Sequence, residues 1–285
     1  MIAITGATGF LGRHLVAKLR NKNIKCLVRK EDHGFKKLKV TKGDIGDKKA
    51  LDTLVKNAKI VVHLAAVIDH KDKEEYQKVN IEGTKNLIKA CKNNNVKRVI
   101  FVSSMASTKK YLDDYGKSKS EAEKLLLSSG LDVTILRPSF IYGKNSNSMK
   151  KLLEFLNKFK VIPIVGDGEY KFRPVHVDDV VKAIILCINN KKAVNKTYDI
   201  LGKTELTFNE FIDTVCKKYN IKKRKIHIPI SICLPISSIG SLITKNFPLK
   251  KTYVLSIKSS TTGDIGPAEK DLKYKPMGFL DGLKK

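Results

Sequence analysis

A glycine-rich turn at the start of the chain constrains its fold more than any other feature. The apolar run Met1-Ile2-Ala3-Ile4 leads directly into Thr5-Gly6-Ala7-Thr8-Gly9-Phe10-Leu11-Gly12. Gly6 permits a tight turn from a strand into a helix, Gly9 lets the backbone approach a phosphate because it has no Cβ, and Gly12 lets the helix pack closely on its strand. The unpaired N–H groups of that helix would point at the anion. The turn therefore predicts a dinucleotide-binding unit.

The apolar residues that follow alternate between two periods. Short apolar runs bounded by turn residues predict strands, and the segments between them place apolar residues three and four positions apart, as amphipathic helices do. The predicted strands are 24–28, 38–40, 60–64, 99–102 and 133–136, the predicted helices are 48–56, 76–93, 115–128 and 177–188, and a capping box at 207–210 opens another helix. This alternation indicates an α/β fold with a Rossmann-type, doubly wound parallel sheet.

The residue after the second predicted strand bears on which dinucleotide is bound. About 20 residues beyond a glycine motif of this kind, an acidic side chain accepts a hydrogen bond from the 2′-hydroxyl of NAD. Arg29 occupies that position. Its guanidinium, with Lys30 and Arg13, would instead pair with the 2′-phosphate of NADP. A basic pair after a strand is also common on the surface of a lysine-rich chain, so the sequence favours NADP over NAD and leaves both open.

The alternation of strands and helices loosens beyond Gly143, where prolines and glycines interrupt it. We expect residues 1–143 to form an NAD(P)-binding Rossmann domain and residues 175–200 to return to it. Residues 144–174 and 201–285 would then form a smaller, C-terminal substrate-binding lobe.

The positive charge of the chain suggests nucleic acid as a possible ligand. The 285 residues carry a formal net charge of +28. Most of the positive residues are lysines spread over predicted helix faces, and aromatic residues do not alternate with them as a base-stacking surface requires. Nucleic-acid binding is therefore not expected, although the charge should attract anionic substrates and cofactors.

Cysteine spacing and the N-terminal sequence favour a cytoplasmic protein. The 5 cysteines are scattered without a C-x-x-C pair, which predicts neither a disulfide framework nor a metal site. The chain opens directly into a predicted strand without a basic and apolar leader, and it has no apolar stretch long enough to predict a membrane span. We expect a soluble, cytoplasmic protein that binds no metal.

Tyr115-Gly116-Lys117-Ser118-Lys119 opens a predicted helix and carries candidate catalytic chemistry. Tyr115 and Lys119 lie one helical turn apart and project from the same face. A phenol is a weak base at neutral pH, since its reference pKa is about 10, but a neighbouring ammonium favours the phenolate. Tyr115 could then exchange a proton with a substrate hydroxyl or ketone, and Ser104, at the end of the preceding strand, could donate a hydrogen bond to the same oxygen.

These residues belong to an ordered series of motifs. The series comprises residues 5–12, 43–47, 63–66, 79–84, 101–104 with Tyr115 and Lys119, 136–143, 173–180 and 272–276. It resembles the extended short-chain dehydrogenase/reductases, also called the NAD-dependent epimerase/dehydratase family, and the resemblance covers nearly the whole chain. It implies the fold described above and an enzyme that transfers hydride between a nicotinamide cofactor and a carbon bearing a hydroxyl or ketone.

The resemblance also implies a role for individual residues. Tyr115 would handle the proton, Lys119 would lower the pKa of Tyr115 and hold the nicotinamide ribose, and Ser104 would orient the substrate oxygen. The implied cofactor-binding residues are Gly6, Thr8, Gly9, Phe10, Leu11, Gly12, Arg29, Asp44, Ile45, Leu64, Ala65, Ala66, Asn80, Ser103, Tyr115, Lys119, Pro138 and Ile141. The implied substrate-binding residues are Ser104, Phe140 and Arg173.

The substrate residues support different substrates. Arg173 matches a residue that commonly contacts the substrate diphosphate in the family, whereas Phe140 stands where nucleotide-sugar enzymes often have Asn. The leading hypothesis is an epimerase, dehydratase or reductase acting on a nucleoside-diphosphate sugar. One alternative is a dehydrogenase or reductase of an apolar alcohol or ketone, similar to hydroxysteroid dehydrogenases. Another is a non-catalytic, NADPH-binding accessory subunit, similar to that of respiratory complex I. The presence of Ser104, Tyr115 and Lys119 favours an enzyme, although the interval from Ser104 to Tyr115 is short.

An uncharged segment, residues 228–244, follows the basic run Lys222-Lys223-Arg224-Lys225. It could form a lid over an apolar substrate, a dimer contact or a surface that touches a membrane beside its basic flank. Packing in the core or in a lid is favoured, because prolines and serines dilute its apolar face. The family resemblance further implies a homodimer formed through the helices that contain Tyr76 and Tyr115.

Overall fold

The computed structural model describes residues 1–68, 72–243, 254–255 and 260–285. These residues include a central parallel sheet built from β1 (Ile2–Thr5), β2 (Ile24–Val28), β3 (Lys39–Lys42), β4 (Ile60–His63), β5 (Arg98–Val102), β6 (Asp132–Pro138) and β11 (Lys196–Ile200). The seven strands lie in the order β11-β6-β5-β4-β1-β2-β3. The strand order reverses between β1 and β4, which is the topology of a doubly wound fold. The predicted α/β fold with a Rossmann-type parallel sheet is confirmed.

Helices cover both faces of the sheet. One face packs against α1 (Phe10–Lys18), α7 (Val177–Ile188) and α10 (Gly266–Leu272), and the other against α2 (Lys48–Val55), α4 (Gly83–Asn93) and α5 (Asp114–Leu127). Successive strand residues supply the two cores, since side chains alternate across a strand: Ile4 packs in the first core and Ala3 in the second. Both residues are fully buried.

The helix predicted over residues 76–93 has an irregular first half. A short helix, α3 (Lys73–Glu75), continues into a π-helical segment, Tyr76–Glu82, and then into α4. π-helical turns are rare and often occur at functional sites. Asn80 is buried in this segment. The helix ends where it was predicted to end, at Asn93, and Asn95 adopts a left-handed φ of 56° just beyond it.

The C-terminal lobe has a core of its own, which includes Leu156, Ile164, Phe211 and Phe279. Its elements are α6 (Asn147–Lys158), β8 (Val161–Val165), β9 (Lys171–Phe172), β12 (Leu206–Thr207), α8 (Phe208–Lys218), β13 (Arg224–Ile228), α9 (Ile230–Ile243) and α11 (Phe279–Gly282). Two short strands that pair with each other, β7 (Ile141–Tyr142) and β10 (Val175–His176), lie at the boundaries predicted between the lobe and the nucleotide-binding domain. The predicted capping box opens α8, with both of its hydrogen bonds present. Thr244, the last residue of the uncharged segment 228–244, lies outside the described residues.

Two segments that follow the start of the lobe in the sequence belong to the central sheet or to the helices that pack on it. The first contains α7 and β11, and it falls within residues 175–200. The second is α10, which lies within residues 201–285 but buries Ala268 and Leu272 in the core beneath α1 and α7. The Tyr274 hydroxyl, next along the chain, donates a hydrogen bond to the carbonyl of Leu201 at 2.9 Å. We therefore propose that the nucleotide-binding domain includes residues 266–274 in addition to 1–143 and 175–200.

The sheet brings the predicted site residues to one edge. Gly6 follows β1, Arg29 follows β2, Leu64 follows β4 and Ser104 lies two residues beyond β5. All these strands are parallel, so their carboxyl ends meet at the same edge. Ligands of doubly wound folds bind at this edge, beside the point where the strand order reverses.

Candidate active site

The glycine-rich turn forms a cradle at the start of α1. Gly6 has a left-handed φ of 69°, and a Cβ there would lie 2.6 Å from the backbone nitrogen of Ala65. A Cβ on Gly12 would lie 2.2 Å from the carbonyl oxygen of Gly6, so α1 packs as closely on its strand as the sequence predicts. A Cβ on Gly9 would meet only that same carbonyl oxygen, at 3.3 Å, which leaves its other side open.

The first turn of α1 offers its backbone N–H groups to a ligand. Gly9 is the N-cap residue, and it supplies no side-chain hydrogen bond to the helix. The first N–H groups of a helix have no partner within it, and together with the helix dipole they attract an anion. The open side of Gly9 and this uncapped helix start fit the pyrophosphate of a dinucleotide.

The end of β2 carries both an exposed guanidinium and an ion pair. Arg29 is exposed just beyond the strand. Arg13 instead forms an ion pair with Asp32, and its Nε donates to the carbonyl of Thr8 at 3.0 Å. The guanidinium holds the pKa of Asp32 below its usual value. The expected help from Arg13 in binding a 2′-phosphate is therefore offset by a carboxylate that the sequence reasoning missed.

Two predicted cofactor residues follow β3 and differ in placement. Asp44 is exposed, and its Oδ1 accepts a hydrogen bond from the N–H of Gly46 at 2.7 Å, which fixes the carboxylate at the strand end. Ile45 is buried, and a Cβ on Gly83 would lie 2.6 Å from Ile45 Cγ2. The Ile45 side chain therefore belongs to the core beneath α4, and its backbone is the part that could meet a cofactor.

The loop after β4 is held against the cradle. The N–H of Leu64 donates to the carbonyl of Thr5 at 3.2 Å, and the N–H of Ala65 donates to Thr5 Oγ1 at 3.3 Å. Leu64, Ala65 and Ala66 are each partly exposed at the edge of the sheet. This placement agrees with contact to a dinucleotide bound at α1.

The remaining predicted cofactor residues surround the start of α1 and the end of β6. Phe10 packs edge-on against His14 with the ring centroids 5.3 Å apart, and Leu11 packs on the core of the sheet. Pro138 is the buried last residue of β6, and Ile141 is partly buried at the start of β7. The beginning of α1 thus lies beside the start of the lobe, since His14 Nε2 is 3.2 Å from the carbonyl oxygen of Lys144.

Ser104 and Tyr115 lie together despite the short interval between them. A 3-10 helix, Met105–Thr108, follows Ser104, and α5 begins at Asp114 with Asp113 capping it through a 2.7 Å bond from the N–H of Gly116. Burial raises the pKa of Tyr115 to about 12, and a hydrogen bond with Ser104 partly offsets this effect. Tyr115 is therefore a neutral phenol at neutral pH.

Lys119 is buried one turn beyond Tyr115, and it contacts β5. Its Nζ donates to the carbonyl of Val102 at 2.8 Å and lies 4.0 Å from the centre of the Phe101 ring. Burial lowers the pKa of Lys119 to about 7. Burial is the largest influence on the pKa of Tyr115, and the lowering of that pKa by Lys119 stays a prediction.

Asn80 braces the turn that carries Tyr115. Its Nδ2 donates to Ser118 Oγ at 2.8 Å and to the carbonyl of Val67 at 3.0 Å, while its Oδ1 accepts from the N–H of Val67 at 2.8 Å. Ser118 Oγ in turn donates to the carbonyl of Tyr115 at 2.8 Å. Asn80 therefore acts on the proposed catalytic helix through Ser118.

Glu123 forms a buried network that the sequence reasoning missed. Its carboxylate accepts hydrogen bonds from the hydroxyls of Ser103 and Ser107 and from Arg137, whose Nε and Nη2 lie 3.1 and 2.6 Å from its two oxygens. Burial opposes its charge, but the bonds from Arg137 and Ser103 hold the pKa of Glu123 below its usual value. Its position on the helix could have indicated this role, since Tyr115, Lys119 and Glu123 are spaced four residues apart and so lie on one face.

His63, the last residue of β4, connects the cradle with Asn80. Its Nδ1 lies 2.7 Å from Thr5 Oγ1 and its Nε2 lies 3.1 Å from Thr84 Oγ1, which donates to the carbonyl of Asn80 at 2.6 Å. Burial lowers the pKa of His63 to about 3, with a smaller contribution from Lys119. The imidazole is therefore neutral, and it links the first strand to the helix that supports Tyr115.

The two further substrate residues lie where the lobe meets the sheet. Phe140 packs edge-on against Phe211 of the lobe core, with the ring centroids 5.7 Å apart. Its carbonyl accepts a hydrogen bond from the N–H of Val175 at 2.9 Å, which places the segment after Arg173 beside it. Arg173 donates through Nε to the carbonyl of Gly202 at 2.9 Å and through Nη2 to that of Lys203 at 3.4 Å.

Comparison with known proteins identifies the family. A model of the NAD dependent epimerase/dehydratase family matches residues 2–200. The chain belongs to this family. It is 30% identical to the UDP-glucose 4-epimerase of Vibrio cholerae over 99% of this chain and 93% of that protein. It is also 30% identical to the ceramide reductase of Caulobacter vibrioides over 80% of this chain and 74% of the reductase.

Solved structures show the same fold. MoeE5 in complex with UDP-glucuronic acid and NAD superposes with a TM-score of 0.78 at 23% identity, covering 99% of this chain and 96% of that one. The family resemblance stated from the sequence is confirmed. The chain is thus an NAD(P)-dependent oxidoreductase or epimerase.

Proposed function

We propose that the enzyme transfers hydride at a secondary alcohol or ketone carbon of a nucleoside-diphosphate sugar, with Ser104, Tyr115 and Lys119 as its catalytic residues. The observation that carries this proposal is that Ser104, Tyr115 and Lys119 gather at the carboxyl edge of the sheet, where Lys119 Nζ donates to the carbonyl of Val102 at 2.8 Å. Ser104 follows β5, which lies two strands from β1 and the cradle. A bound nicotinamide would supply or accept the hydride.

The proposed proton chemistry follows from the two hydroxyls. Both Ser104 and Tyr115 can donate a hydrogen bond to one substrate oxygen, and they stabilise the negative charge that develops there during reduction. With a pKa of about 12, Tyr115 keeps its proton until that oxygen gains charge and then transfers it. In the oxidative direction Tyr115 must first lose its own proton to solvent, and the phenolate then accepts the proton of the substrate hydroxyl. A charged Lys119 would favour that phenolate.

Arg173 supports a substrate that carries a diphosphate. The carbonyls of Gly202 and Lys203 hold two of its nitrogens, which fixes the guanidinium plane. A guanidinium has five N–H donors, and those beyond these two contacts can pair with phosphate oxygens. The similarity to a UDP-glucose 4-epimerase agrees with this substrate class.

Phe140 favours a second candidate, the reduction of an apolar ketone. Its ring packs against Phe211 and presents no hydrogen-bonding group where a nucleotide would need one. The similarity to a ceramide reductase agrees with an apolar substrate. In this candidate the roles of Ser104, Tyr115 and Lys119 are unchanged.

The catalytic assignment is tested by Tyr115→Phe, with Tyr111→Phe as the control. Tyr111 lies four residues earlier and is exposed. We expect Tyr115→Phe to lower kcat about 10²- to 10⁴-fold, the usual contribution of a general acid or base, without changing the dissociation constant of the dinucleotide. Tyr111→Phe should match the wild type. Full turnover by Tyr115→Phe would refute the assignment, and loss of turnover with cofactor binding intact would also exclude a purely accessory, cofactor-binding role.

The substrate class is tested with matched panels of nucleoside-diphosphate sugars and long-chain ketones, each with NAD(H) and NADP(H). Conversion of a sugar nucleotide, with a KM that rises in Arg173→Lys while kcat is retained, supports the leading proposal, since lysine keeps the charge but loses the fork. Conversion of the ketones alone would replace it with the second candidate.

We propose that Arg29 gives the site a preference for NADP(H). It is the exposed guanidinium at the carboxyl end of β2, whereas Arg13 is neutralised by Asp32. Loss of one charge-assisted pair should weaken NADPH binding by about tenfold or more in Arg29→Ala and leave NADH binding unchanged. Lys22→Ala, at the opposite end of β2, is the control. Equal weakening of both cofactors would contradict the proposal.

A further inference from the structure

Two parallel strands of the lobe turn apolar side chains outward. β8 and β13 pair so that Pro163 lies beside Ile226, and the two side chains point to the same side. The opposite side of β8 buries Ile162 and Ile164 in the lobe core. Ile226 is 54% exposed, and Val161 and Pro163 are exposed with it. This side of the strand pair is therefore an apolar surface without cover among the described residues.

The helix that follows β13 turns two isoleucines outward. Ile232 and Ile236, one turn apart on α9, are 49% and 46% exposed. Cys233 and Ser237, also one turn apart, are 1% and 0% exposed. The sequence favoured packing of this segment in the core or in a lid, and the structure buries Cys233 and Ser237 while Ile232 and Ile236 stay exposed. We call Val161, Pro163, Ile226, Ile232 and Ile236 the outer face.

Positive charge collects at one edge of this outer face. Lys158 and Lys160 precede β8, and Lys222, Lys223 and Arg224 lead into β13. Since the two strands are parallel, both groups lie at the same edge. Lys158, Lys160, Lys222 and Arg224 are exposed. Phe159, between the first two lysines, is exposed as well.

Acidic residues are missing from this part of the sequence. No Asp or Glu occurs between Asp213 and Asp264, whereas Lys and Arg occur there at positions 217, 218, 222, 223, 224, 225, 245, 250, 251 and 258. Asp213 itself is paired with Lys225 at 2.6 Å. The exposed cations beside the starts of β8 and β13 can therefore meet an external anionic partner.

We propose that the outer face docks on a bilayer of anionic lipids, with the isoleucines entering the interface and the cations contacting headgroups. Exposed apolar side chains beside lysines are the pattern of proteins that lie on a membrane. Within the described residues, no helix is long and apolar enough to cross a bilayer, and α9 itself has 14 residues. The enzyme would bind at the membrane surface, and this inference does not depend on the proposed substrate.

The proposal is tested by co-sedimentation of the full chain with vesicles. One set contains equal amounts of phosphatidylglycerol and phosphatidylcholine, and the other contains phosphatidylcholine alone. The wild type should bind the anionic vesicles and fail to bind the neutral ones. Each basic residue near an anionic surface strengthens binding about fivefold, so Lys222→Gln with Arg224→Gln should weaken binding by more than about tenfold. Lys48→Gln with Lys49→Gln, on α2, removes the same charge elsewhere and should have little effect.

The apolar contribution is tested with Ile232→Ser combined with Ile236→Ser. This variant should also lose binding to the anionic vesicles, whereas Leu280→Ser, at a similarly exposed leucine on α11, should bind like the wild type. If the isoleucine variant fails to fold, the lysine and arginine variant still decides the question. Binding that is absent in the wild type, or equal in test and control variants, overturns the proposal. A dimeric wild type that becomes monomeric when the isoleucines are replaced would also overturn it, because a second copy would then be the occupant.

Discussion

Glu123 is held by side chains from three different elements. Ser103 follows β5, Ser107 lies in the 3-10 helix after it, and Arg137 belongs to β6. A buried carboxylate is stable only when hydrogen bonds and an opposite charge replace the water it has lost. The network therefore fixes the chain on either side of Ser104, and Glu123 acts by positioning.

Replacement of Glu123 should cost stability. Glu123→Gln keeps the volume but leaves the Arg137 guanidinium without its counter-charge, so we expect a loss of about 3 kcal/mol in the free energy of unfolding, at the low end for a broken buried pair. Glu121→Gln removes an exposed carboxylate 3.9 Å from Lys124 and should change little. Urea denaturation of both variants measures the difference. Equal midpoints would show that the network contributes no stability.

His63 should make the protein sensitive to acid. The imidazole has a pKa of about 3 in the folded protein and 6.5 ordinarily, so below pH 6.5 the unfolded chain binds a proton that the folded chain does not. Stability therefore falls as the pH drops from 6.5 towards 3, by up to about 1.4 kcal/mol per pH unit.

The comparison of His63→Gln with the wild type isolates this effect. The stability advantage of the wild type should shrink across that pH range in urea denaturation curves. His33→Gln, which replaces an exposed histidine, should leave the acid dependence as it is. A difference between wild type and His63→Gln that is constant with pH would contradict the assignment.

At the scale of elements, two glycines of the turn and α1, Gly9 and Gly12, are needed for different reasons. Gly12 is needed inside the protein, because its Cβ would overlap the carbonyls of Gly6 and Ala7 at 2.2 and 2.6 Å. Gly9 is less restricted within the protein, because a Cβ there would meet only the carbonyl oxygen of Gly6, at 3.3 Å, and would need a shift of a few tenths of an ångström, whereas on its other side the backbone is expected to approach the ligand. Its φ of −72° is also accessible to any residue.

Alanine at these two glycines should separate folding from binding. Gly9→Ala should keep the melting temperature of the cofactor-free protein and lose dinucleotide affinity, because the methyl group would meet the pyrophosphate. Gly12→Ala should lose both, since α1 must move away from the turn. Thermal unfolding with and without NADPH measures the two effects. A Gly9→Ala variant that binds NADPH normally would show that the pyrophosphate lies elsewhere.

At the scale of the whole molecule, positive charge outweighs negative charge by a wide margin. The net charge is +28, and the outward residues of α5 include Lys117, Glu121, Lys124 and a largely exposed Leu127. The predicted homodimer through the helices that contain Tyr76 and Tyr115 stays a prediction, as does the cytoplasmic location. The long-range field of such a protein increases the rate at which anionic ligands arrive.

Association of NADPH should therefore depend on salt. We expect the association rate constant, measured by stopped-flow fluorescence, to fall on the order of tenfold between low and physiological ionic strength. The dissociation rate should change much less, because contacts within the site are screened less than the approach from solution. A salt effect confined to dissociation would contradict long-range attraction.

The fold could be predicted from the sequence, because strand and helix periods are local properties and a missing Cβ has the same consequence in any context. The sequence also predicted which residues would gather at one edge of the sheet, and the structure places them there. Three features became visible only in the folded chain: Asp32 pairs with Arg13, Glu123 anchors the strand ends, and burial raises the pKa of Tyr115. The tertiary structure also decided that α9 turns Ile232 and Ile236 outward. The ion pairs of a side chain, its burial and its pKa depend on which other side chains contact it in the folded protein. When the partners lie far apart in the sequence, their contact cannot be predicted from the sequence.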